Sequence, residues 1–293
     1  MGTGITVNFR IKNEECFIRA AILSVLPLAE KVMVYDTGST DGTLDEVRSI
    51  QHPRITLIRL PAMKPVELTK LRNEILARTT TEWAMAVDGD EIYPASAIRC
   101  IMEEIPRVPP TIHRIEVHRK HFVNSFNFIS PMDRIGRIFR AARIRHGVGD
   151  PKAFGSVGHE TPYLKDAPQT PWDAYSMTLP AKAYFFHCQY LQRSPLDGQM
   201  GRLRGWRKPV FPVMPYFGPW PETLSIEGRV SRQLTSELAG KWLNLNAHSV
   251  IRLTVHGQWS IPGFWRLRSW PPKELVEVGE SSVIEQALRN GSR

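Results

Sequence analysis

The segment KVMVYDTGSTDGT, Lys31 to Thr43, reads as a buried strand (Lys31 to Tyr35) that runs straight into an acidic turn rich in Gly, Ser and Thr. A helix follows from about Leu44 to Ile50. Upstream, Ile5 to Ile11 is a first strand, and Glu14 to Leu26 places Phe17, Ala20, Ala21, Leu23 and Leu26 near a 3.6-residue period until Pro27 stops it. Downstream come a third strand, Ile55 to Leu60, and a helix, Val66 to Ala77, with Leu68, Leu71, Ile75 and Leu76 on its apolar face. A fourth strand, Trp83 to Val87, ends on Asp88-Gly89-Asp90-Glu91. This β-α-β-α-β-α-β order predicts an α/β fold with a mixed, mostly parallel sheet flanked by helices. Right-handed crossovers put the ends of the second and fourth strands on one edge, where open α/β sheets bind ligands.

Beyond Ile112 the pattern changes to long strand-like runs, Ile112 to Phe122, Arg134 to Ile144 and Ala181 to His187, expected as antiparallel additions to the same sheet. Between Arg204 and Pro221, prolines alternate with Trp206, Phe211, Tyr216, Phe217 and Trp220, which reads as an extended arm. A short helix from about Glu227 to Leu243 and a tail with Trp259, Trp265 and Trp270 complete a Pro/Trp-rich C-terminal extension. The expected division is 1–200 as the main domain, in two halves, 1–95 and 96–200, and 201–293 as the extension.

With 293 residues, 42% hydrophobic, the chain has enough apolar material for a full core, which excludes a disordered polymer or a disulfide-stapled miniprotein. Its 38 Lys and Arg against 29 Asp and Glu give a formal charge of +9 and point to anionic partners, among them nucleotides, nucleic acid and acidic lipid. Cys16, Cys100 and Cys188 cannot all pair internally and have no zinc-ligand spacing, so a reducing, cytoplasmic setting fits. No run approaches the roughly 18 to 20 apolar residues of a membrane span. The cations and amphipathic aromatics after residue 201 nevertheless suit peripheral contact with a membrane surface, packing across the main domain, or a dimer contact.

The chemistry concentrates in the two acidic corners. Asp36 leaves its strand where Gly38, Ser39 and Gly42 allow a sharp turn, and Asp41 can cap the next helix. Asp88 and Asp90 lie two apart at a strand end, so both carboxylates can approach one hard cation, Mg²⁺ or Mn²⁺, which would in turn hold a diphosphate. Five arginines, Arg134, Arg137, Arg140, Arg143 and Arg145, read as solvated side chains of an edge strand or as contacts for an anionic acceptor or a membrane surface.

YDTGSTDGT (Tyr35 to Thr43), AVDGDE (Ala86 to Glu91) and the Arg72-Asn73 pair between them resemble the family 2 glycosyltransferases of the GT-A fold, a Rossmann-like fold. The opening VNFRIKNEECFIRAAILSVLP (Val7 to Pro27) is similar to the family's start. The resemblance is close from about Ile5 to Tyr93, loose to about Ser194, and does not reach the tail. It makes 1–200 the catalytic domain, with 1–95 the donor half and 96–200 the acceptor half. It implies a nucleotide-sugar donor, UDP being the commonest in the family, and transfer with inversion to a glycan, lipid-linked or protein acceptor, which the tryptophans of 201–293 could also contact, since sugar rings stack on tryptophan. Asn8, Arg10, Asp36, Gly38, Ser39 and Asp41 would border the base and ribose, Arg72 would face the diphosphate, and Asp88, Gly89 and Asp90 would hold ribose and metal.

Gly155 to Pro162 is similar to a G-x-V-H-E stretch of relatives and offers Glu160 or His159 as general base. His187 resembles a later histidine that adds a metal ligand, and Arg193, with Ser194, would border the phosphates. Two other classes were weighed. A basic nucleic-acid-binding protein is disfavoured because the chain has no zinc-finger, RNP or helix-turn-helix signature and its strand ends are acidic. A nucleotidyltransferase usually carries a Gly-rich, Lys-containing phosphate loop, and the matching position here reads NFRIKNEE, without glycine.

Overall fold

The computed structural model describes residues 4–63, 65–148, 160–198 and 212–245. Four parallel strands form its first half: β1 (Ile5–Ile11), β2 (Lys31–Asp36), β3 (Ile55–Arg59) and β4 (Trp83–Val87). β1 lies between β2 and β4, with β3 outside β2, so the spatial order is β3-β2-β1-β4. The crossovers are α1 (Ile18–Val25), α2 (Thr43–Arg48) and α3 (Pro65–Arg78). Strand β1 is buried almost throughout because its alternate residues meet different layers. Val7, Phe9 and Ile11 enter the main core with Ile18, Ala21 and Ile22 of α1, whereas Asn8 and Arg10 line a cleft with Arg72, Ile75 and Leu76 of α3.

After β4 come β5 (Glu91–Ile92) and α4 (Ala95–Glu104), the latter not anticipated from sequence. The later strands are β6 (Arg114–Val123), β7 (Ser125–Ile129), β8 (Asp133–Arg140), β9 (Ile144–Val148), β10 (Glu160–Leu164), β11 (Ser176–Thr178), β12 (Tyr184–Tyr190) and β13 (Met214–Pro215). β8 is antiparallel to both β4 and β6, so β6 runs in the same direction as β4; β12 is parallel to β6 and antiparallel to β5. The result is the expected mixed, Rossmann-like sheet. Among the described residues β9 and β10 pair only with each other.

Three expectations change in detail. The run from Arg134 to Ile144 is two strands, because Ala141 to Arg143 turn and β9 leaves for α3. β8 is an interior strand and not an edge: Arg137 and Arg140 are largely buried, Arg140 lying over the Trp83 ring, 4.3 Å from its centroid. The late helix covers 236–245, its start fixed by Thr235, whose Oγ1 accepts the Leu238 N–H at 3.2 Å.

The described part of the extension packs on the sheet. Tyr216 and Leu224 join the main core, Tyr216 lying 5.5 Å from Phe186 and 6.1 Å from Phe122 between ring centroids. Trp220 donates Nε1–H to the Phe126 carbonyl at 2.8 Å, and Thr223 donates to the Ala20 carbonyl at 3.0 Å. Trp206, Phe211, Trp259, Trp265 and Trp270 lie outside the described residues. Among the described residues no helix is long and apolar enough to cross a membrane, and the three cysteines are unpaired.

Candidate active site

The two acidic corners sit at the ends of β2 and β4, on either side of the end of β1. At the first, Asp36 is buried and spends its carboxylate locally, accepting the Gly38 N–H at 3.3 Å and the Ser39 N–H at 3.1 Å. Gly38 has φ +94°, a left-handed conformation that disfavours a side chain, and an added Cβ would lie 3.1 Å from the Ala62 backbone. Ser39 Oγ accepts the Asn13 N–H at 2.8 Å, and Asp41 accepts the Thr43 N–H at 3.0 Å. Asp36, Ser39 and Asp41 therefore shape the turn as much as they face its exterior.

At the second corner, Asp88 accepts from Arg137 Nη2 at 2.9 Å, while Asp90 is fully buried, its oxygens 3.3 Å from His187 Nε2 and 3.4 Å from Arg193 Nη1. β5 pairs with β12 so that Glu91 lies opposite His187, which is what carries the histidine to Asp90. Burial opposes ionisation of Asp88, but Arg137 overcomes it; the neighbouring Asp90 raises the pKa again, Arg72 and Arg10 lower it, and the balance is a carboxyl held below its ordinary range. Asn8, Arg10, Arg72, Asp88 and His146 share one cleft.

Glu14 joins the corners. Its N–H is donated to Thr43 Oγ1 at 2.7 Å, at the end of the first acidic turn, and its carboxylate accepts from Arg193 Nη1 at 2.8 Å, the guanidinium that also meets Asp90. Gly89 is required beside it: a Cβ there would come within 2.8 Å of the Glu14 side chain. Through Arg193, Glu14 thus links Asp90 to Thr43, which closes the turn that Asp36 opens.

Sequence reading missed Glu14, Glu91 and Arg137 as site residues. Arg137 bridges Asp88 and the fully buried Glu91. Its placement comes from a bulge: Ile138 pairs with Ile115 and Gly136 with Glu116, so Arg137 is the extra residue on β8 and is re-aimed. One guanidinium serves two carboxylates. Burial and Asp88 push Glu91 up to about 7 against the pull of Arg137. His121, also missed, lies against His187 with ring centroids 5.0 Å apart and the planes tilted by 34°, and meets Gln189 Nε2 at 3.0 Å. His159 lies outside the described residues; Glu160 opens β10, and only its backbone is described.

Among the described residues no group of three or more His, Cys, Asp or Glu is arranged to enclose a metal ion. The pair Asp90 and His187 still fits one: Oδ1 and Nε2 are 3.3 Å apart, close to the spacing of two adjacent ligands on an octahedral ion with bonds of about 2.1 Å. Ions of that kind usually complete their shell with water and substrate phosphate.

A Rossmann-like half-sheet whose ligand edge carries two acidic corners, with arginines turned inward between them, is the layout of a GT-A glycosyltransferase. The chain belongs to glycosyl transferase family 2, which it matches over residues 10–164, just over half its length. Among curated proteins there is no match. Among solved structures it is similar to glucosyl-3-phosphoglycerate synthase from Mycobacterium tuberculosis in complex with Mn²⁺ and UDP-glucose, at 22% identity and a TM-score of 0.30. The match covers 42% of this chain and 44% of that one. The same enzyme with Mn²⁺, UDP and phosphoglyceric acid, and with Mg²⁺ and UDP, matches at 23% identity, the same coverage and the same score. The chain therefore spans less than half the length of that protein, and the family assignment rests on the family match.

Proposed function

We propose that the protein transfers a sugar, with inversion, from a nucleoside diphosphate donor to a hydroxyl-bearing acceptor, assisted by Mn²⁺ or Mg²⁺. The observation that carries this reading is the Glu14 connection, which holds the acidic turn after β2 and the Asp-Gly-Asp corner after β4 at one edge of the sheet. Asp90 and His187 would hold the cation, with Asp88 beside them. When bound, such an ion acts as a Lewis acid for the departing diphosphate.

The chain's own residues supply the rest. Arg10 and Arg72 line the cleft next to Asp88 and offer positive charge to the phosphates as the glycosidic bond breaks. Arg193, fixed by Glu14 and Asp90, and by Asp197, which accepts its backbone N–H at 2.8 Å, borders the same place. The turn from Asp36 to Asp41 positions the base and ribose. Glu160 or His159 takes the proton of the acceptor hydroxyl as that oxygen attacks from the face opposite the leaving group.

Titration of the protein with UDP, GDP and dTDP, each with and without Mn²⁺, tests this reading. Metal-dependent binding of one nucleotide is expected, together with its loss in Asp90→Asn and retention of cooperative unfolding. Equal binding without metal, or turnover in Asp90→Asn equal to wild type, would overturn it. Release of pyrophosphate in place of nucleoside diphosphate would favour a nucleotidyltransferase.

A further inference from the structure

A second cleft, of about 440 Å³, opens between β7 and the helix over 236–245, within the size range of small-molecule sites. It lies on the same edge of the sheet as the acidic corners: β6 runs in the direction of β4, and Asn124, with φ +58°, turns directly off the end of β6 into the cleft wall. Two further lines of contact tie it to the site. Leu238 and Leu245, which line the cleft, pack with Phe128 and Tyr190, and the Tyr190 ring lies 5.4 Å from His121, the residue lying against His187. On the other side Arg229, also in the lining, is within electrostatic reach of Cys16, whose N–H is donated to the Arg193 carbonyl at 2.9 Å.

The lining chemistry is selective. Arg229 and Lys241 bring two cations to the lining, Lys241 paired with Glu237 at 2.5 Å. Ser125 and the amides of Asn124 and Asn244 add groups that both donate and accept, as hydroxyl-rich ligands require. Asn127 is committed to the wall, donating to the Ser231 carbonyl at 2.8 Å. The apolar floor can receive the carbon face of a sugar ring.

We infer that this cleft is the acceptor site and that it takes a sugar-type acceptor carrying a carboxylate or a phosphate. The inference rests on the transferase reading and adds the acceptor's class and the residues that select it. Arg229 would receive the anion through charge-assisted hydrogen bonds, and the amides would orient the hydroxyls. Half of the site comes from chain beyond the family-matched region, so acceptor choice would belong to this protein's own extension.

Calorimetric titration of the full chain in the presence of UDP and Mn²⁺ with glucuronate, glucose 6-phosphate and glucose tests it, the first two separating a carboxylate from a phosphate. At least one anionic sugar should bind about tenfold more tightly than glucose, the loss expected when one charged hydrogen bond is removed. Arg229→Gln and, independently, the cleft-filling Asn244→Trp should each weaken that sugar by about tenfold and leave UDP binding unchanged. Glucose binding as well as both anions, or neither variant weakening them, overturns the inference while bound UDP leaves the transferase reading standing. A wild-type protein that binds no nucleotide overturns both.

Discussion

Arg137 shares one positive charge between Asp88 and Glu91, and both it and Glu91 are out of water. Removing that charge strands a buried carboxylate, so Arg137→Gln should lower stability by about 3 to 5 kcal/mol. Adding Glu91→Gln should restore part of the loss, since the neutral side chain needs no counter-charge; denaturant unfolding of the single and double variants measures both. His146 behaves in the opposite sense. Burial, and then Arg72, Arg10 and Arg114, hold its pKa well below the ordinary histidine value, so the folded protein keeps it neutral while the unfolded chain protonates it below about 6.5. His146 therefore contributes a fall in stability as pH drops from about 6.5, and His146→Gln should remove that contribution. His113 and His121, also lowered by burial first, add to the same trend, whereas Glu91, raised to about 7, takes up a proton in the folded state and opposes it. Asp36, Asp88 and Asp90 were legible in sequence because carboxylates beside glycine at strand ends stand out against apolar runs. Arg137 was not: arginines at every third position of Arg134 to Arg143 hide a two-residue alternation, and the bulge that aims one of them inward depends on pairing with β6.

Helix α3 carries the Arg72-Asn73 pair. Arg72-Asn73 was singled out for the arginine, yet Asn73 is what docks the helix. Its Nδ2 donates to the His146 carbonyl at 2.9 Å and its Oδ1 accepts the His146 N–H at 2.8 Å, so an amide side chain takes the part of a strand against β9. Asn73→Ala should cost about 2 kcal/mol, because two backbone groups lose their partners, and should speed hydrogen exchange of the His146 amide more than that of Val7 in β1. Strands β1, β2 and β4 and helices α1 and α3 were legible from their apolar patterns, while the short α2 was placed by the acidic turn before it. α4 and the short β5 were not; β5 is two residues long and exists only because β12 lies beside it.

For the molecule as a whole, the Pro-rich segment is where composition gave least guidance. Its proline spacing excluded helix and central strand, and left open whether its aromatics face lipid, a partner or the core. Of the described aromatics Tyr216 faces the core, among Phe122, Phe186 and Trp220, whereas Phe217 is exposed. Tyr216→Ala should destabilise the protein by about 3 kcal/mol or more, read as a lowered midpoint in urea, with nucleotide binding retained below the transition. The placement of Tyr216 also bears on how the chain matures during synthesis. Strands β1 to β4 can pair as soon as they leave the ribosome, but Phe122 and Phe186 keep an open flank until residues past Leu224 have emerged. A nascent chain halted near residue 164, where the family match ends, would leave Phe122 without Phe186 and Tyr216, so this part of the core closes only after translation is well past both acidic corners.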